Sequence, residues 1–408
     1  MIQQWNKRHT AQARVLGATI LAYASYHIVK LNLTQASPAL IEYDGFSKGT
    51  IGLLLAILAV SYGSSKFILG IVADRIRPRL LISIGLFLSS VADLLLGQTH
   101  NHYIMAALMA ALGLTQGCGA PSCQKLITEW FQRKRLATAI SCWHVSHNLG
   151  SGASAIIVAV IISYYGGQNT KNIFLIPAII SMAMAVIVYW LGKDAPMHTG
   201  KVKDNGHLFW NEFANHLLKN PLMWILGFLN AFSYILRYGI ENWIPTYLEL
   251  TKNFTVTQTA TAFSWFEYAA IPGTILLGLA SDRWLKGRRL PLVIGTALLV
   301  IFTLPLYVVT ASSLVVNMTV AVMGICVYGQ QSLLNIMVLD ILPIRYAASG
   351  IGMLGFFGYA FGQVIASYGI GELVEKTNWQ WGFAIIFTAG IICVVIFSWL
   401  EIYSKHQL

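Results

Sequence analysis

The feature that most constrains this chain is a series of long apolar runs, separated by short polar segments. A bilayer core of roughly 30 Å takes about 20 residues of helix to cross, and the backbone groups inside it must bond one another. Charged residues make up only 11% of the 408 residues, too few to cover a soluble surface. Each run therefore predicts a membrane helix in an all-α protein. The twelve predicted spans are 15–43, 48–72, 80–98, 102–128, 136–164, 173–192, 221–248, 258–281, 291–310, 314–340, 346–371 and 380–402.

The basic residues are distributed unevenly over the polar segments. One set of loops and ends holds 19 Lys and Arg residues, and the opposite set holds four. Because Lys and Arg concentrate on the cytoplasmic side, we expect both termini and the central loop 193–220 to be cytoplasmic. That loop separates a six-helix domain at 1–192 from a second one at 221–408. The net charge of +11 is then explained by loops beside the lipid bilayer, and a nucleic-acid partner is not expected.

The two halves of the chain repeat one another at an offset of 208 residues. The segment 70–75 reads GIVADR, the segment 278–283 reads GLASDR, and each is followed by a basic cluster. The same offset places Lys30 one residue from the counterpart of Arg237. Duplicated six-helix halves with parallel topology are typical of secondary transporters.

Charged side chains inside the predicted helices are candidates for a binding site, because a charge within a membrane is costly. Three fixed cations and one clear anion leave the interior net positive, which favours an anionic ligand near the interface of the repeats. A purely structural role remains the alternative for each of these residues. Arg237 would then pair only with Glu241, Lys66 would extend toward the cytoplasmic end of its helix, and the other groups would serve packing or neutralise a buried charge. The candidates are Lys30, Lys66, Arg237, Glu267, His144 and His147.

Tyrosine hydroxyls can donate to anion oxygens without adding charge, and five tyrosines recur near the charged positions. Packing is the alternative for each. No metal or cofactor is expected, since Cys118 and Cys123 are five residues apart and all five cysteines lie in or beside apolar runs. Paired carboxylates and nucleophile motifs are also missing, so we do not expect an enzyme. The tyrosines are Tyr26, Tyr62, Tyr234, Tyr328 and Tyr359.

The pattern G-x-x-x-D-R-x-x-x-R at 70–79 resembles the loop signature of the major facilitator superfamily, and its weaker copy starts at 278. The resemblance implies two pseudo-symmetric bundles of six helices each. It also implies that the two loops gate the conformational change. Acidic side chains there would pair across helix ends, and arginines would bind helix C-termini of the neighbouring bundle. The residues concerned are Asp74, Arg75, Arg79, Asp282 and Arg283.

Motifs along the whole chain resemble the organophosphate:phosphate antiporters within that superfamily. They include YHIVKLN at 26–32, WHVSHNLG at 143–150, YILRYG at 234–239 and EYAAIPG at 267–273. The resemblance implies a monomer in a bacterial inner membrane that exchanges a small organic phosphate, of the glycerol-3-phosphate or sugar-phosphate type, for inorganic phosphate. It implies that Lys30 and Arg237 bind the phosphate. The further positions that match the family are His147, Lys66 and Glu267, of which Glu267 is assigned to charge coupling.

The chain departs from that family at several of these positions. Lys30 stands where the family usually has Arg, which loses the planar fork of a guanidinium. Leu31 and Asn242 replace a Lys and an Asp that form a putative ion pair in some members, and His144 replaces an Asn. The substrate therefore stays open. Two other functions fit the same residues: proton-coupled symport of a small organic anion such as a carboxylate, and a transporter-like sensor of sugar phosphates.

Overall fold

A computed structural model describes the backbone of residues 2–73, 77–131, 133–194, 214–286, 288–342 and 344–406. Side chains are described within these ranges except at 2–9, 67, 70–73, 133–134, 137, 214, 216, 344–349 and 404–406. The described residues form sixteen α-helices and three short π-helical segments, with no strand among them.

Eight helices belong to the first half of the chain. They are α1 (Ile2–Lys30), α2 (Asn32–Tyr43), α3 (Lys48–Ala73), α4 (Pro78–Leu96), α5 (His102–Gln116), α6 (Gly119–Trp130), α7 (Arg133–Tyr165) and α8 (Thr170–Leu191).

A π-helical turn at Ala214–Leu218 precedes the eight helices of the second half. Two more π-helical segments, Gly358–Gln363 and Ile365–Gly369, lie between α14 and α15. The helices are α9 (Pro221–Glu241), α10 (Ile244–Leu250), α11 (Val256–Arg283), α12 (Leu290–Val309), α13 (Ser313–Ile341), α14 (Ile344–Phe357), α15 (Ile370–Lys376) and α16 (Trp379–His406).

The helices confirm the all-α membrane fold predicted from the apolar runs. Each of the twelve predicted spans is helical, and the spans that begin at 15, 102, 221 and 346 are divided into two or more helical pieces. The largest difference in bounds is at the start, since α1 begins at Ile2 instead of residue 15. Residues 2–14 contain no Gly or Pro, so the helix continues through the polar end of the chain.

Ten helical stretches of the described residues are long and apolar enough to cross a membrane. The predicted spans 15–43 and 221–248 do not meet that criterion, and both are broken, at Leu31 and at Asn242–Trp243 respectively. These are the two spans that carry Lys30 and Arg237. The repeat is also visible in the helix starts, because α3 begins at Lys48 and α11 at Val256, 208 residues later.

The chain forms two compact units. Unit 1 comprises residues 1–46 and 57–200, and unit 2 comprises residues 47–56 and 201–408. The first turns of α3 therefore belong to unit 2, where the Lys48 backbone amide donates to Glu375 Oε2 at 2.9 Å. The predicted domain boundaries at 192 and 221 stay a prediction.

Apolar and aromatic side chains fill the interior of each unit. In unit 1, Tyr26, Trp143 and Phe174 are at most 1% exposed, and in unit 2 the same holds for Phe266 and Phe397. Removal of apolar surface from water contributes roughly 25 cal/mol per Å², but lipid tails are as apolar as the side chains and give no such driving force between helices. Close packing and polar contacts must therefore hold the bundles together.

Local sequence fixes several helix ends and one close helix contact. Asn101 accepts from the backbone amides of Tyr103 and Ile104 at 3.0 and 3.2 Å, which caps α5. Gly150 in α7 lies against the backbone of Ala24 in α1, where a Cβ atom would be 2.7 Å from the Ala24 Cα atom. Glycine at this position lets α7 approach the helix that carries Lys30.

Candidate functional site

Lys30 is the last residue of α1, directly before the break in the first membrane helix. Leu31 at the break has φ −92° and ψ 0°, and the Ser154 hydroxyl donates to the Ile28 carbonyl oxygen at 3.1 Å. In a membrane, side chains can satisfy backbone groups that a broken helix leaves unpaired. Lys30 is 5% exposed, so its charge lies inside unit 1.

An aromatic ring brings the two predicted lysines of unit 1 together. The Lys30 Nζ atom is 4.4 Å from the ring centroid of Tyr62 on α3, and the Lys66 Nζ atom is 5.8 Å from the same centroid. A cation over a tyrosine face is attracted by the quadrupole of the ring. Tyr62 is 2% exposed, so this contact lies within the unit.

A histidine that the sequence analysis did not single out joins this group. His27 lies three residues before Lys30, and its Nδ1 atom is 3.2 Å from the Ser151 hydroxyl on α7. Its ring centroid is 5.5 Å from that of the predicted His147. The His147 Nδ1 atom in turn lies 2.7 Å from the carbonyl oxygen of His144. Helix α7 therefore places His147 next to the face of α1 that carries Lys30.

Tyr23 connects the rings of this group, which we call the lysine cluster: Tyr23, His27, Lys30, Tyr62, Lys66, Trp143 and His147. The Tyr23 hydroxyl is 3.5 Å from the Tyr62 hydroxyl, and the ring centroids of Tyr23 and Trp143 are 4.7 Å apart. Positions 23, 27 and 30 follow helical spacing, which explains why one face of α1 supplies three members of the cluster.

Two residues predicted for substrate binding lie at the margin of the lysine cluster. Tyr26 is fully buried, and its hydroxyl donates to the carbonyl oxygen of Ile82 at 2.8 Å. The side chain therefore bonds the backbone of α4. His144 is exposed, with its ring centroid 5.1 Å from that of Trp143. Substrate contact by Tyr26 and His144 stays a prediction.

Arg237 on α9 is the basic residue of the second broken helix, and it is 7% exposed. Its Nε atom donates to Glu241 Oε2 at 2.9 Å, one helical turn later. The ion pair that the sequence analysis left open as an alternative is therefore formed. Charge-assisted bonds of this kind are about twice as strong as neutral ones, and Glu241 is 2% exposed.

A tyrosine links Arg237 to the second buried acid. Arg237 Nη2 donates to the Tyr328 hydroxyl at 2.9 Å, and that hydroxyl donates to Glu267, 2.7 Å from Oε1 and 2.8 Å from Oε2. The guanidinium carbon also lies 4.1 Å from the Tyr328 ring centroid. Three predicted residues from α9, α11 and α13 are thus joined in one chain of bonds, and Glu267 is fully buried.

Tyr238 packs beside the guanidinium, and Tyr234 and Tyr359 pack against Tyr238 and against each other. The centroid of the Tyr238 ring is 4.7 Å from the guanidinium carbon of Arg237, and the ring centroids of Tyr234 and Tyr359 are 5.1 Å apart. Tyr359 belongs to the π-helical segment Gly358–Gln363, a distortion that often occurs at functional sites. We call this group the arginine cluster: Tyr234, Arg237, Tyr238, Glu241, Glu267, Tyr328 and Tyr359.

The arginine cluster has the donors that an oxyanion needs. Hydrogen bonds to the described residues use Nε and Nη2 of Arg237, and a guanidinium has five N–H groups in a planar fork. The Nη1 end therefore has N–H donors that an anion can accept from. Two carboxylates, Glu241 and Glu267, compete for the same charge.

The first gating loop is described only in part, because Asp74 and Arg75 lie outside the described residues. Arg79 contacts the C-terminal end of α8. Its Nη1 atom donates to the Gly192 carbonyl oxygen at 3.4 Å, and its Nε atom is 3.5 Å from Asp194 Oδ2. Arg79 therefore binds a helix C-terminus, as expected for a basic side chain, and that helix belongs to unit 1 itself.

The second gating loop has its own ion pair. Asp282 Oδ1 lies 2.5 Å from Nη1 of Arg289, and Arg289 Nε is 3.4 Å from Asp340. Burial alone would lower the pKa of Arg289, but the hydrogen bond to Asp282 and the charge of Asp340 raise it. Arg283 is exposed. The gating role of both loops stays a prediction.

Sequence reasoning passed over several residues that contact the predicted ones, and three of them show why. Glu241 entered only as an alternative partner of Arg237, although its i, i+4 spacing is a direct signal for an ion pair on one helix. His27 shares a helical face with Lys30. Tyr238 follows Arg237 directly, and sequence spacing gives no signal that their side chains meet.

Comparison with known proteins identifies the family of this chain. The sequence profile of the Major Facilitator Superfamily matches residues 15–367. The glycerol-3-phosphate transporter of Bacillus subtilis (strain 168) is 34% identical over 400 residues, which cover 93% of this chain and 89% of that protein. The phosphoglycerate transporter protein of Salmonella typhimurium is 32% identical, with coverage of 98% and 90%.

A solved structure shows the same fold. The crystal structure of the nucleoside transporter NupG superposes with a TM-score of 0.79 at 15% identity, and the match covers 95% of this chain and 99% of that one. The matched profile and the curated relatives establish the family. The chain belongs to the Major Facilitator Superfamily and, within it, to the organophosphate:phosphate antiporter family.

Proposed function

We propose that this protein exchanges a small organic phosphate for inorganic phosphate across a bacterial membrane by alternating access. The observation that carries the proposal is the buried base on each of two broken helices: Lys30 at 5% and Arg237 at 7% exposure. Discontinuous helices in transporters mark the substrate site, and intramembrane charges mark function. Membership of the antiporter family and the similarity to a glycerol-3-phosphate transporter support phosphate as the shared group.

Arg237 is the main phosphate ligand in this proposal. Its fork matches two phosphate oxygens at once, and the bonds to Glu241 and Tyr328 fix the plane of the guanidinium before the substrate arrives. Lys30 supplies a second positive charge without a fixed hydrogen-bonding direction. Tyr62 in the lysine cluster, and Tyr234 and Tyr359 in the arginine cluster, are the candidates for contact with the organic part of the substrate.

Glu241 and Glu267 compete with the substrate for the charge of Arg237 in this proposal. In the absence of substrate these acids bond Arg237 directly or through Tyr328, so the arginine charge is partly neutralised within the protein. A phosphate must weaken those contacts to bind. The binding energy of the phosphate then drives the change of access. Either the organic phosphate or inorganic phosphate can occupy the site when the protein returns.

The proposal also includes the orientation of the protein in the membrane and its state as a monomer. The distribution of 19 against four basic residues supports cytoplasmic termini and a cytoplasmic loop at 193–220. The similarity to bacterial transporters supports the bacterial inner membrane as location. The six-helix domains 1–192 and 221–408 move as the two halves of one monomer. The loops that contain Asp74 and Asp282 form and release ion pairs as access changes.

The proposal is tested by exchange in proteoliposomes loaded with labelled inorganic phosphate. Glycerol-3-phosphate, phosphoglycerates, hexose-6-phosphates and unphosphorylated carboxylates are added outside, one at a time. We expect addition of at least one organic phosphate to cause efflux of the label from the proteoliposomes. The label should stay inside when the protein carries Arg237→Ala or Lys30→Ala. Folding of each variant is checked by size-exclusion chromatography.

Three other outcomes would replace the proposal. Retention of the label with every organic phosphate, in folded protein, excludes phosphate exchange. Uptake of a carboxylate driven by a pH gradient, without internal phosphate, would establish proton-coupled symport. Saturable binding of a sugar phosphate without any turnover would instead indicate a sensor.

A further inference from the structure

A third buried acid lies in unit 1, outside both clusters. Asp93 is on α4 and is fully buried, as is Asn32, the first residue of α2. The Asn32 Nδ2 atom donates to Asp93 Oδ2 at 2.9 Å. Asn32 is two residues after Lys30, so this bond attaches α4 to the chain just beyond the helix break.

The hydrogen bonds of this pair are incomplete if Asp93 is ionised. Asn32 Oδ1 and Asp93 Oδ1 are both buried, and neither has a donor among the described residues. An ionised carboxylate only accepts, so it cannot supply the missing donor to Asn32 Oδ1. A neutral carboxylic acid has one O–H group, and an acid facing an amide can form two bonds at once, O–H to O and N–H to O.

The charges around Asp93 also favour the neutral acid. Helix α4 packs against α1, α5, α6 and α8, and none of the described Lys, Arg or His residues lies within ion-pair distance of Asp93. Burial of an ionised carboxylate without a cation is very costly, so such a group takes up a proton. The titratable side chains on these helices have other described contacts. They include Tyr23 at Tyr62, Tyr26 at Ile82, His27 at Ser151, Lys30 at Tyr62, Arg79 at Asp194, His102 at Phe46, Lys125 at Glu129 and Tyr189 at Arg79.

We infer that Asp93 is a protonated, neutral carboxylic acid that forms a two-point hydrogen-bonded pair with Asn32 and so holds the helix break that positions Lys30. Asp93 is a positioning residue, because it acts through Asn32 and does not contact the substrate. The transport part of this inference rests on the proposed function, whereas the protonation state does not.

Infrared difference spectroscopy tests the protonation state directly. Membranes of wild-type protein and of Asp93→Asn are compared at neutral pH. We expect a carbonyl stretch of a neutral carboxylic acid in the wild type that is missing in Asp93→Asn. Absence of that difference would overturn the inference, as would a carboxylate band in its place. A requirement for Na⁺ would then identify a bound cation as the missing partner.

Transport kinetics test the positioning role. The amide of Asp93→Asn reproduces a neutral acid, so we expect its KM for inorganic phosphate to stay within about twofold of the wild type. Asp93→Ala leaves both polar groups of Asn32 without their partner, so we expect KM to rise about fivefold or more with a smaller change in kcat. An unchanged KM in Asp93→Ala would overturn the role.

A double variant in which the acid and the amide change places keeps the test decisive if Asp93→Ala does not fold. The double variant Asn32→Asp with Asp93→Asn keeps one acid and one amide in reversed positions. We expect it to restore the infrared band that Asp93→Asn lacks and to keep KM within about twofold of the wild type, and failure of either one overturns the two-point pair. If wild-type protein transports no phosphate at all, the proposed function fails, but the infrared result still decides the protonation of Asp93.

Discussion

The lysine cluster and the arginine cluster occupy equivalent places in the two repeats but hold their bases in different ways. In the contacts described here, the Lys30 ammonium lies over a neutral ring, 4.4 Å from the centroid of Tyr62. The Arg237 guanidinium bonds one carboxylate directly at 2.9 Å and a second one through Tyr328. The repeat therefore preserves a buried base on a broken helix and changes the groups around that base.

The chemistry of the two side chains explains this difference. A guanidinium is planar and can donate to several acceptors in fixed directions, so Arg237 is suited to a network that sets its orientation. An ammonium is a compact charge on a flexible stem, and an aromatic face restrains its position without fixing a bond direction. We therefore expect substrate orientation to depend on Arg237 and electrostatic attraction to depend more on Lys30.

The largest effect is expected for removal of the arginine. Arg237→Ala should abolish exchange and lower the free energy of unfolding by about 3 kcal/mol, because Glu241 and Glu267 stay buried without their cation. Denaturation of the purified protein measures the second effect. Arg237→Ala combined with Glu241→Gln should recover part of the stability and none of the transport.

The matched change in the other half is Lys30→Ala. It should also stop exchange, and loss of its buried cation–aromatic contact with Tyr62 should by itself lower the free energy of unfolding by about 2 kcal/mol. Equal losses of stability in Arg237→Ala and Lys30→Ala would break the contrast between the two clusters.

The next effect concerns the acids that bond Arg237. Glu241→Gln removes a negative charge that competes with the substrate, so inorganic phosphate should bind about tenfold more tightly, or about 1.4 kcal/mol. Glu267→Gln acts through Tyr328 and should give a smaller gain, about threefold. Isothermal titration calorimetry with inorganic phosphate measures both. Weaker binding in Glu241→Gln would mean that this acid orients the arginine more than it competes for it.

The smallest effect is expected for loss of the Tyr62 hydroxyl alone. Tyr62→Phe keeps the ring beneath Lys30, so KM for phosphate should change by less than about twofold. Tyr62→Leu removes the aromatic face and should raise KM about fivefold, because the ammonium is then held less well. Initial exchange rates over a range of phosphate concentrations give both values. Equal KM values in the two variants would show that the ring does not restrain Lys30.

Much of the fold was predictable because membrane helices are encoded locally. Each needs about 20 apolar residues, and each charge inside one is costly enough to stand out, as Lys30 and Arg237 do. The repeat of the two halves, at an offset of 208 residues, is also visible in the amino-acid sequence alone. The break after Lys30 was not predicted, since no Gly or Pro marks it and Pro38 lies well inside α2.

The partners of each base were less predictable because they come from distant parts of the chain. Arg237 and Tyr328 are 91 residues apart, Tyr328 and Glu267 are 61 apart, and Asn32 and Asp93 are 61 apart. Tyr26 shows that closeness in sequence to a buried base does not by itself place a side chain at that base. It lies one turn before Lys30, yet its hydroxyl bonds the backbone of α4.

The number of membrane helices, their repeat and the places of the buried bases can be derived from the residue order, because burial in lipid selects residues one segment at a time. The folded chain was needed to find that one base lies over a ring, that the other bonds one acid directly and a second through Tyr328, and that a third acid bonds the break beside Lys30. These contacts depend on how each helix is rotated against its neighbours. That rotation is fixed by close packing over many side chains, which apolar periodicity does not specify.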